Sequence, residues 1–431
     1  MQLKKFKITV VGLGYVGLPL ASALSKHFTV FGYDTSKEKI NHLLKGYDPT
    51  KQLNYKEIKN RNLIFSNNPK FIKNSKIIIV TIPTPVDKKN KPDLSLIQKA
   101  CKTIGVNLSK GSIIVFESTV YPGLTEEVCV KELEKFSNLE WKKNFNIGYS
   151  PERINPGDKI HNLKNITKVI SADNKKTLKI LKNVYKKIIN KIFLAPSIKV
   201  AEAAKIIENT QRDINIAFMN ELSIIFSKLN LNIYDVLKAA ETKWNFLKFE
   251  PGLVGGHCIG VDPYYLTYKA KKIGYSPKII LSGRNLNDNM TKYLYVKFIN
   301  LLKKKIKNKK KSNVLLLGIT FKENCNDFRN SKSVEFYKLL SNNKNINIDV
   351  HDPYVDKKEI KKNFNINIIN KPLLKKYDSV VLLVKHKDYY KLTYNNLKQY
   401  CKKVFLVFDI KNIFFKKFKK NNIFTIWEKI K

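Results

Sequence analysis

Apolar residues arrive in short β-branched bursts through the first part of the chain. KITVVGLG, HFTVFGYD, KIIIVTIP, GSIIVFEST and FNIGYSPE read as strands, and the segments between them carry apolar residues at helical spacing. Strand and helix in alternation predict a parallel, doubly wound sheet. Two more strands, TKVIS and KIFLA, flank a helical stretch around Leu178 to Ile188 and carry the region to about Ala195. From Ser197 to about Leu229 the apolar positions keep a helical period with no internal Pro or Gly, which predicts one long helix acting as a spine between domains. Helical pattern continues, broken by the glycine-rich segment Pro251 to Gly260, as far as the charge run KKKIKNKKKSN, which reads as an exposed linker. VLLLGITFK, NINIDVHDP, YDSVVLLV and KVFLVFD then supply strands for a second, smaller α/β region. The expected class is α/β: two doubly wound, Rossmann-like domains over 1–196 and 312–431, joined by a central helical domain over 197–304 and a linker over 305–311.

A chain of 431 residues exceeds what one core serves, since domains run to roughly 100–200 residues, and its 43% of hydrophobic residues can fill two or three cores. No run approaches the ~20 apolar residues a bilayer helix needs, so no membrane insertion is expected. The start, MQLKKFKITVVGLGYVG, passes from lysines straight into a strand and a glycine turn, which argues against a signal peptide. Cys101, Cys129, Cys258, Cys325 and Cys401 are odd in number, scattered and never in a CxxC pair. That usage argues against a disulfide framework and a structural zinc site and suits a reducing cytoplasm; no metal is expected. The 81 Lys+Arg against 35 Asp+Glu, a formal +46, raise the question of nucleic acid. The lysines are spread along the whole chain between apolar residues, as solvated faces are, and no nucleic-acid partner is expected.

Candidate chemistry begins at Gly12-Leu13-Gly14-Tyr15-Val16-Gly17, which follows a strand and opens a helix. Such glycines permit a tight turn and close backbone approach to a pyrophosphate. Asp34, about 20 residues on at the end of the second strand, is placed to accept from ribose hydroxyls and would repel a 2′-phosphate, so NAD is expected rather than NADP. Lys205, Asn209 and Arg212 fall on one face of the long helix, where a lysine and an amide can orient an alcohol and stabilise an oxyanion; a solvated face would look the same. Cys258 lies among glycines in PGLVGGHCIGVDPYYL, just ahead of Asp262-Pro263, an expected N-cap and first helical residue. A thiol before a helix N-terminus is biased toward thiolate; a small buried cysteine is the alternative. His257 adjoins it, but neighbouring side chains diverge, so the two are not expected to form a dyad. Glu152, in the SPER loop, and Thr119, in FESTVYPG, stand at carboxyl ends of strands, and Lys322 and Arg329 follow the first strand of the last region.

Together VGLGYVGLPLA, ESTVYPG, YSPERINPGD, KVAEAAKIIENTQRD, KWNF, PGLVGGHCIGVDPYYLT and GITFKENCNDFRNS resemble the UDP-glucose/GDP-mannose dehydrogenase family, nearly end to end. The likeness is nearer to its UDP-N-acetylhexosamine 6-dehydrogenases, of the kind serving Vi-type polysaccharide synthesis. The resemblance implies an N-terminal NAD domain, a central dimer-forming region and a C-terminal domain for UDP, in a cytoplasmic homodimer. It implies NAD-dependent, four-electron oxidation of a C6 hydroxyl to a carboxylate. Carried over residue by residue, Cys258 would be the nucleophile, passing through a thiohemiacetal and a thioester. Lys205 and Asn209 would steady the C6 oxygen, Asp262 and Thr119 would organise water and the reacting oxygen, and Glu152 would activate water for hydrolysis. Gly12, Gly14, Tyr15, Val16, Gly17, Asp34, Lys39, Thr84, Thr119 and Arg329 would contact NAD. Arg153, Ile154, Lys205, Asn209, Arg212, Gly252 and Lys322 would contact the sugar nucleotide.

Two departures bear on the expectation. Pro156 stands where UDP-glucose enzymes usually carry a second acid, which favours UDP-N-acetylglucosamine or UDP-N-acetylgalactosamine and leaves the C4 epimer open. Lys39 replaces a frequent arginine, losing a bidentate grip. UDP-glucose and UDP-N-acetylmannosamine are the alternative substrates. A two-electron β-hydroxyacid dehydrogenase would need no Cys258, and a basic NAD-sensing or nucleic-acid-binding protein would show no turnover.

Overall fold

A computed structural model of the chain describes residues 6–50, 52–87, 89–151, 165–306 and 310–426. They divide into two compact units, Met1–Glu208 with Tyr264–Tyr275, and Asn209–Pro263 with Ser276–Lys431. The first unit is built on strands β1 (Lys7–Val11), β2 (Thr29–Tyr33), β3 (Leu63–Ser66), β4 (Ile77–Val80), β5 (Ile113–Phe116), β6 (Asn146–Tyr149), β7 (Thr167–Ala172) and β8 (Lys191–Leu194). Their order is β3-β2-β1-β4-β5-β6-β7-β8. Every neighbour pair is parallel except β6 with β7, so the last two strands run against the other six. The all-aliphatic β4 and the IIVF of β5 are buried throughout, as strands covered on both faces must be. Strand order reverses between β1 and β4, and that reversal opens a crevice at their carboxyl ends, where open α/β sheets bind ligands.

The second unit carries β9 (Ser312–Leu317), β10 (Ile346–His351), β11 (Tyr377–Leu382), β12 (Cys401–Asp409) and β13 (Ile423–Thr425) in the order β10-β9-β11-β12-β13, all parallel. Met290, Leu294, Phe298 and Leu301, one face of the helix Lys278–Lys305, join Val314, Leu316, Phe336 and Phe408 in its main core. The doubly wound α/β class read from the sequence is the one observed. Among the described residues no helix is long and apolar enough to cross a membrane.

The long helix, Ile198–Leu229, runs 32 residues, with the Ser197 hydroxyl accepting from the Val200 amide at its start. It buries polar residues among the apolar ones. Glu202, Lys205, Asn209, Asp213, Asn220 and Ser223 are buried, whereas Val200, Ile207, Phe218, Ile225 and Leu229 are exposed. Buried polar residues at helical spacing are the informative departure from the apolar-inside rule, and they mark this face as a site.

Candidate active site

In the first unit, β1 turns sharply into the helix Gly17–Ser25. Gly12 sits at φ +96°, and a Cβ there would meet the Ile82 side chain at 2.9 Å and the Thr81 carbonyl at 3.1 Å. A Cβ on Gly17 would lie 1.9 Å from the Gly12 carbonyl, so helix and strand approach only because both are glycine. Gly14 faces open space. This cradle meets the steric demands of a dinucleotide pyrophosphate at the helix start, with Tyr15 and Val16 in the turn. Asp34 closes it: Oδ2 accepts from the Leu13 amide at 2.9 Å and the Lys39 ammonium at 2.7 Å, and Oδ1 accepts from the Ser36 amide at 3.0 Å. Burial alone would raise the Asp34 pKa, but Lys39 and the two amides outweigh it and hold the carboxyl below its usual range. Thr84 and Thr119, at the ends of β4 and β5, are joined by a 2.5 Å hydrogen bond from the Thr84 hydroxyl to the Thr119 carbonyl. Lys205 is buried on the long helix.

Glu202, one turn before Lys205, was not singled out in the sequence. Its carboxylate accepts from the Gly123 amide at 2.5 Å and the Thr125 amide at 3.0 Å, and so anchors the chain that follows Thr119. Burial raises its pKa to about 7 against the pull of those donors.

In the second unit a hydrogen-bonded chain links residues that the sequence set apart. Arg212 Nη1 donates to Asn209 Oδ1 at 3.2 Å, and Asn209 Nδ2 donates to Asp262 Oδ2 at 2.6 Å. The Asp262 amide in turn donates to the Cys258 carbonyl at 2.8 Å. Cys258 is solvent-exposed just before the helix Asp262–Lys272, which begins at Asp262 itself and not one residue later. The alternative of a buried structural cysteine therefore falls. Gly252 is gripped through both backbone groups by the Asn220 amide, at 2.8 and 3.0 Å, and Asn220 in turn donates to Asn287 at 2.9 Å. Nothing in the sequence sets Asn220 apart, since its role comes from its burial.

Lys322 sits in a loop fixed from behind. Asp352 accepts from the Ile319 amide at 2.8 Å and pairs with His386 Nε2 at 3.0 Å, while His386 Nδ1 accepts from the Asn324 amide at 2.9 Å. Arg329 is exposed and paired with Asp327 through Nε at 3.0 Å and Nη2 at 2.6 Å. A cavity of about 170 Å³ opens beside Gly252, lined also by Tyr234, Glu250, Lys385 and Lys411. Burial lowers the Lys411 pKa. Lys385 and Lys411 follow the carboxyl ends of β11 and β12, a ligand-binding position, yet in so lysine-rich a sequence nothing distinguished them. Glu152, Arg153 and Ile154, and part of the expected linker, lie outside the described residues.

The first unit thus carries the turn glycines, Asp34, Lys39, Thr84, Thr119 and Lys205, and the second carries Asn209, Arg212, Gly252, Cys258, Asp262, Lys322 and Arg329. Models of three domains match in sequence order: the NAD binding domain of the UDP-glucose/GDP-mannose dehydrogenase family over 6–189, its central domain over 199–289 and its UDP binding domain over 315–416. CapL of Staphylococcus aureus is 49% identical, over 94% of this chain and 96% of that protein. The UDP-N-acetyl-D-glucosamine 6-dehydrogenase of Pseudomonas aeruginosa is 46% identical, over 95% of this chain and 97% of that protein. The solved UDP-D-ManNAc dehydrogenase of Pyrococcus horikoshii superposes with a TM-score of 0.86 at 26% identity, covering 98% of this chain and 99% of that one. A cradle that excludes side chains at Gly12 and Gly17 and domains matched along nearly the whole length lead to one assignment. The chain belongs to the UDP-glucose/GDP-mannose dehydrogenase family and is an NAD-dependent oxidoreductase acting on a UDP-sugar.

Proposed function

We propose that the protein oxidises the C6 hydroxyl of a UDP-N-acetylhexosamine, UDP-N-acetylglucosamine or its C4 epimer, to the uronic acid through a covalent intermediate on Cys258. The observation that carries this reading is the exposed Cys258, whose backbone carbonyl accepts from the Asp262 amide at the end of the Arg212–Asn209–Asp262 chain. NAD, when bound, supplies the hydride acceptor for both oxidations. The alcohol first loses a hydride and a proton to become an aldehyde. The Cys258 thiolate adds to its carbon, forming a C–S bond and a thiohemiacetal, which loses a second hydride and a proton to give the thioester. Water then breaks the C–S bond, leaving the carboxylate and the free thiol. Lys205 and Asn209, one turn apart on the long helix, steady the C6 oxygen, and Lys205 can shuttle its proton. Thr119 and Asp262 order water, and Glu152 activates it.

Support for the acetamido sugar comes from Pro156 in PERINPG and from the Pseudomonas relative named for that activity. Gly252, Arg212 and Lys322 bind the sugar nucleotide, and the adjoining cavity with Lys385 and Lys411 offers cations to its phosphates or hydroxyls. Asp34 binds the NAD ribose, with Lys39, Thr84 and Arg329 as further cofactor contacts. The exposed apolar stripe of the long helix fits a homodimer, and the product would feed a surface polysaccharide from the cytoplasm. The test counts NADH per sugar consumed with UDP-N-acetylglucosamine, UDP-N-acetylgalactosamine, UDP-N-acetylmannosamine and UDP-glucose, with Cys258→Ala in parallel. Two NADH per acetamido sugar, lost in the variant, is the expected result; one NADH with an active variant overturns the cysteine route.

A further inference from the structure

The segment bearing Cys258 is rich in glycine, and a glycine-rich segment holds one conformation only if something outside it does the holding. On the C-terminal side the Asp262 amide does so. On the N-terminal side the loop between β9 and the helix Lys332–Ser341 does so, the same loop that carries Lys322. The Gly256 amide donates to the Asn330 carbonyl at 3.1 Å. Gly256, at φ +86°, lies so close to the Phe321 ring that a Cβ would come within 2.7 Å of it, and a Cβ on Gly255 would lie 2.7 Å from the Asn330 carbonyl. His257 faces partners at both ring nitrogens, with Nε2 3.5 Å from Asp327 Oδ2 and Nδ1 3.4 Å from the Asn330 side-chain Nδ2. With a proton on Nε2 the ring can donate toward Asp327 and accept at Nδ1 from Asn330. Asp327 is itself immobilised by the Arg329 backbone amide at 2.9 Å and by the Arg329 guanidinium.

We propose that Asp327 is a positioning residue for the Cys258 thiol, acting through His257, and that the pair ties the reactive segment to the Lys322 loop. Adjacent side chains diverge, so drawing His257 toward Asp327 turns Cys258 away from that loop and limits the directions its sulfur can take. The inference rests on the reading of Cys258 as nucleophile, but its geometry can be read without turnover.

The test uses the full-length protein and the variants His257→Gln, His257→Ala, Asp327→Asn and His257→Ala/Asp327→Asn. One readout is the rate at which iodoacetamide alkylates Cys258 in the absence of ligands, followed by mass spectrometry against the half-buried Cys325 in the same molecule. The other is kcat and KM with NAD and UDP-N-acetylglucosamine. His257→Ala and Asp327→Asn should each change the Cys258 alkylation rate several-fold. Each should lower kcat about tenfold, the size of one lost hydrogen bond to a charged group, with KM for the sugar nucleotide within about twofold. The double variant should be no worse than either single one, and His257→Gln, which keeps a donor toward Asp327, should retain most of the rate. Effects that multiply in the double variant, or an unchanged alkylation rate, overturn the proposal. A defect confined to Asp327→Asn with a raised KM for NAD would trace to Arg329 and also overturn it. If instead the Cys258→Ala protein still yields two NADH per sugar, the nucleophile reading fails while the alkylation result stands on its own.

Discussion

Single buried side chains carry much of the design. Glu202 is a carboxylate in a dry position with two backbone donors and a pKa raised to about 7 from 4.5. Because the folded state holds this proton more tightly than the unfolded chain, the group favours folding fully below about 4.5, and that contribution is lost as pH rises through about 7. The loss is on the order of 3 kcal/mol at most, at 1.36 kcal/mol per pH unit. Melting temperatures measured between pH 5 and 8 should fall over this window, and Glu202→Gln should flatten the slope; parallel curves for the two proteins would refute the assignment. Such residues were unequally legible. Cys258 stands out by its glycine context, and Asn209 and Arg212 only through the family motif around them, since their spacing alone matches a solvated face. Glu202, Asn220, Lys385 and Lys411 could not, because their role lies in where the fold buries them. Among 81 Lys+Arg, a lysine is camouflaged by its own abundance.

At the scale of elements, glycine turns and helix faces decide the outcome. The Gly17→Ala change would force the helix Gly17–Ser25 away from β1, since the new Cβ would lie 1.9 Å from the Gly12 carbonyl. Binding of NAD, measured by calorimetry, should weaken by at least about tenfold, as expected for a lost close contact at the pyrophosphate. Gly14→Ala, which meets no atom within 4 Å, should leave the fold intact and serves as the control for protein stability. The long strands and the long helix could be read directly from periodicity. Strands β3 and β13 could not, since β3 alternates buried with more exposed positions and β13 has only 3 residues, and β8 was legible although it lies mostly exposed at the sheet edge. The helix Ile198–Leu229 is legible as a helix, but the burial of its polar residues is not, because amphipathicity tells that a helix has two sides and not which one the fold covers.

For the whole molecule, the exposed stripe of Ile207, Phe218, Ile225 and Leu229 is the surface on which the proposed homodimer depends. Light scattering of the purified protein should give twice the chain mass, and Phe218→Asp should shift it toward one chain; a wild-type mass of one chain would remove the dimer. The two sheets also repeat one another in detail. The Gly12 amide donates to the Tyr33 carbonyl at 2.8 Å, and the Gly318 amide to the His351 carbonyl at 2.9 Å. Leu13 and Ile319 then donate alike to Asp34 and Asp352, at 2.9 and 2.8 Å. The carboxylates differ in what surrounds them: the Asp34 side chain keeps 10% of its surface in solvent, whereas that of Asp352 is closed over by His386. Both ligands of such an enzyme contain a ribose and a pyrophosphate, so two equal cradles would let them compete for each other's place. An imidazole against the second carboxylate makes the two cradles unequal in shape and polarity, so the same nucleotide would not fit both equally well.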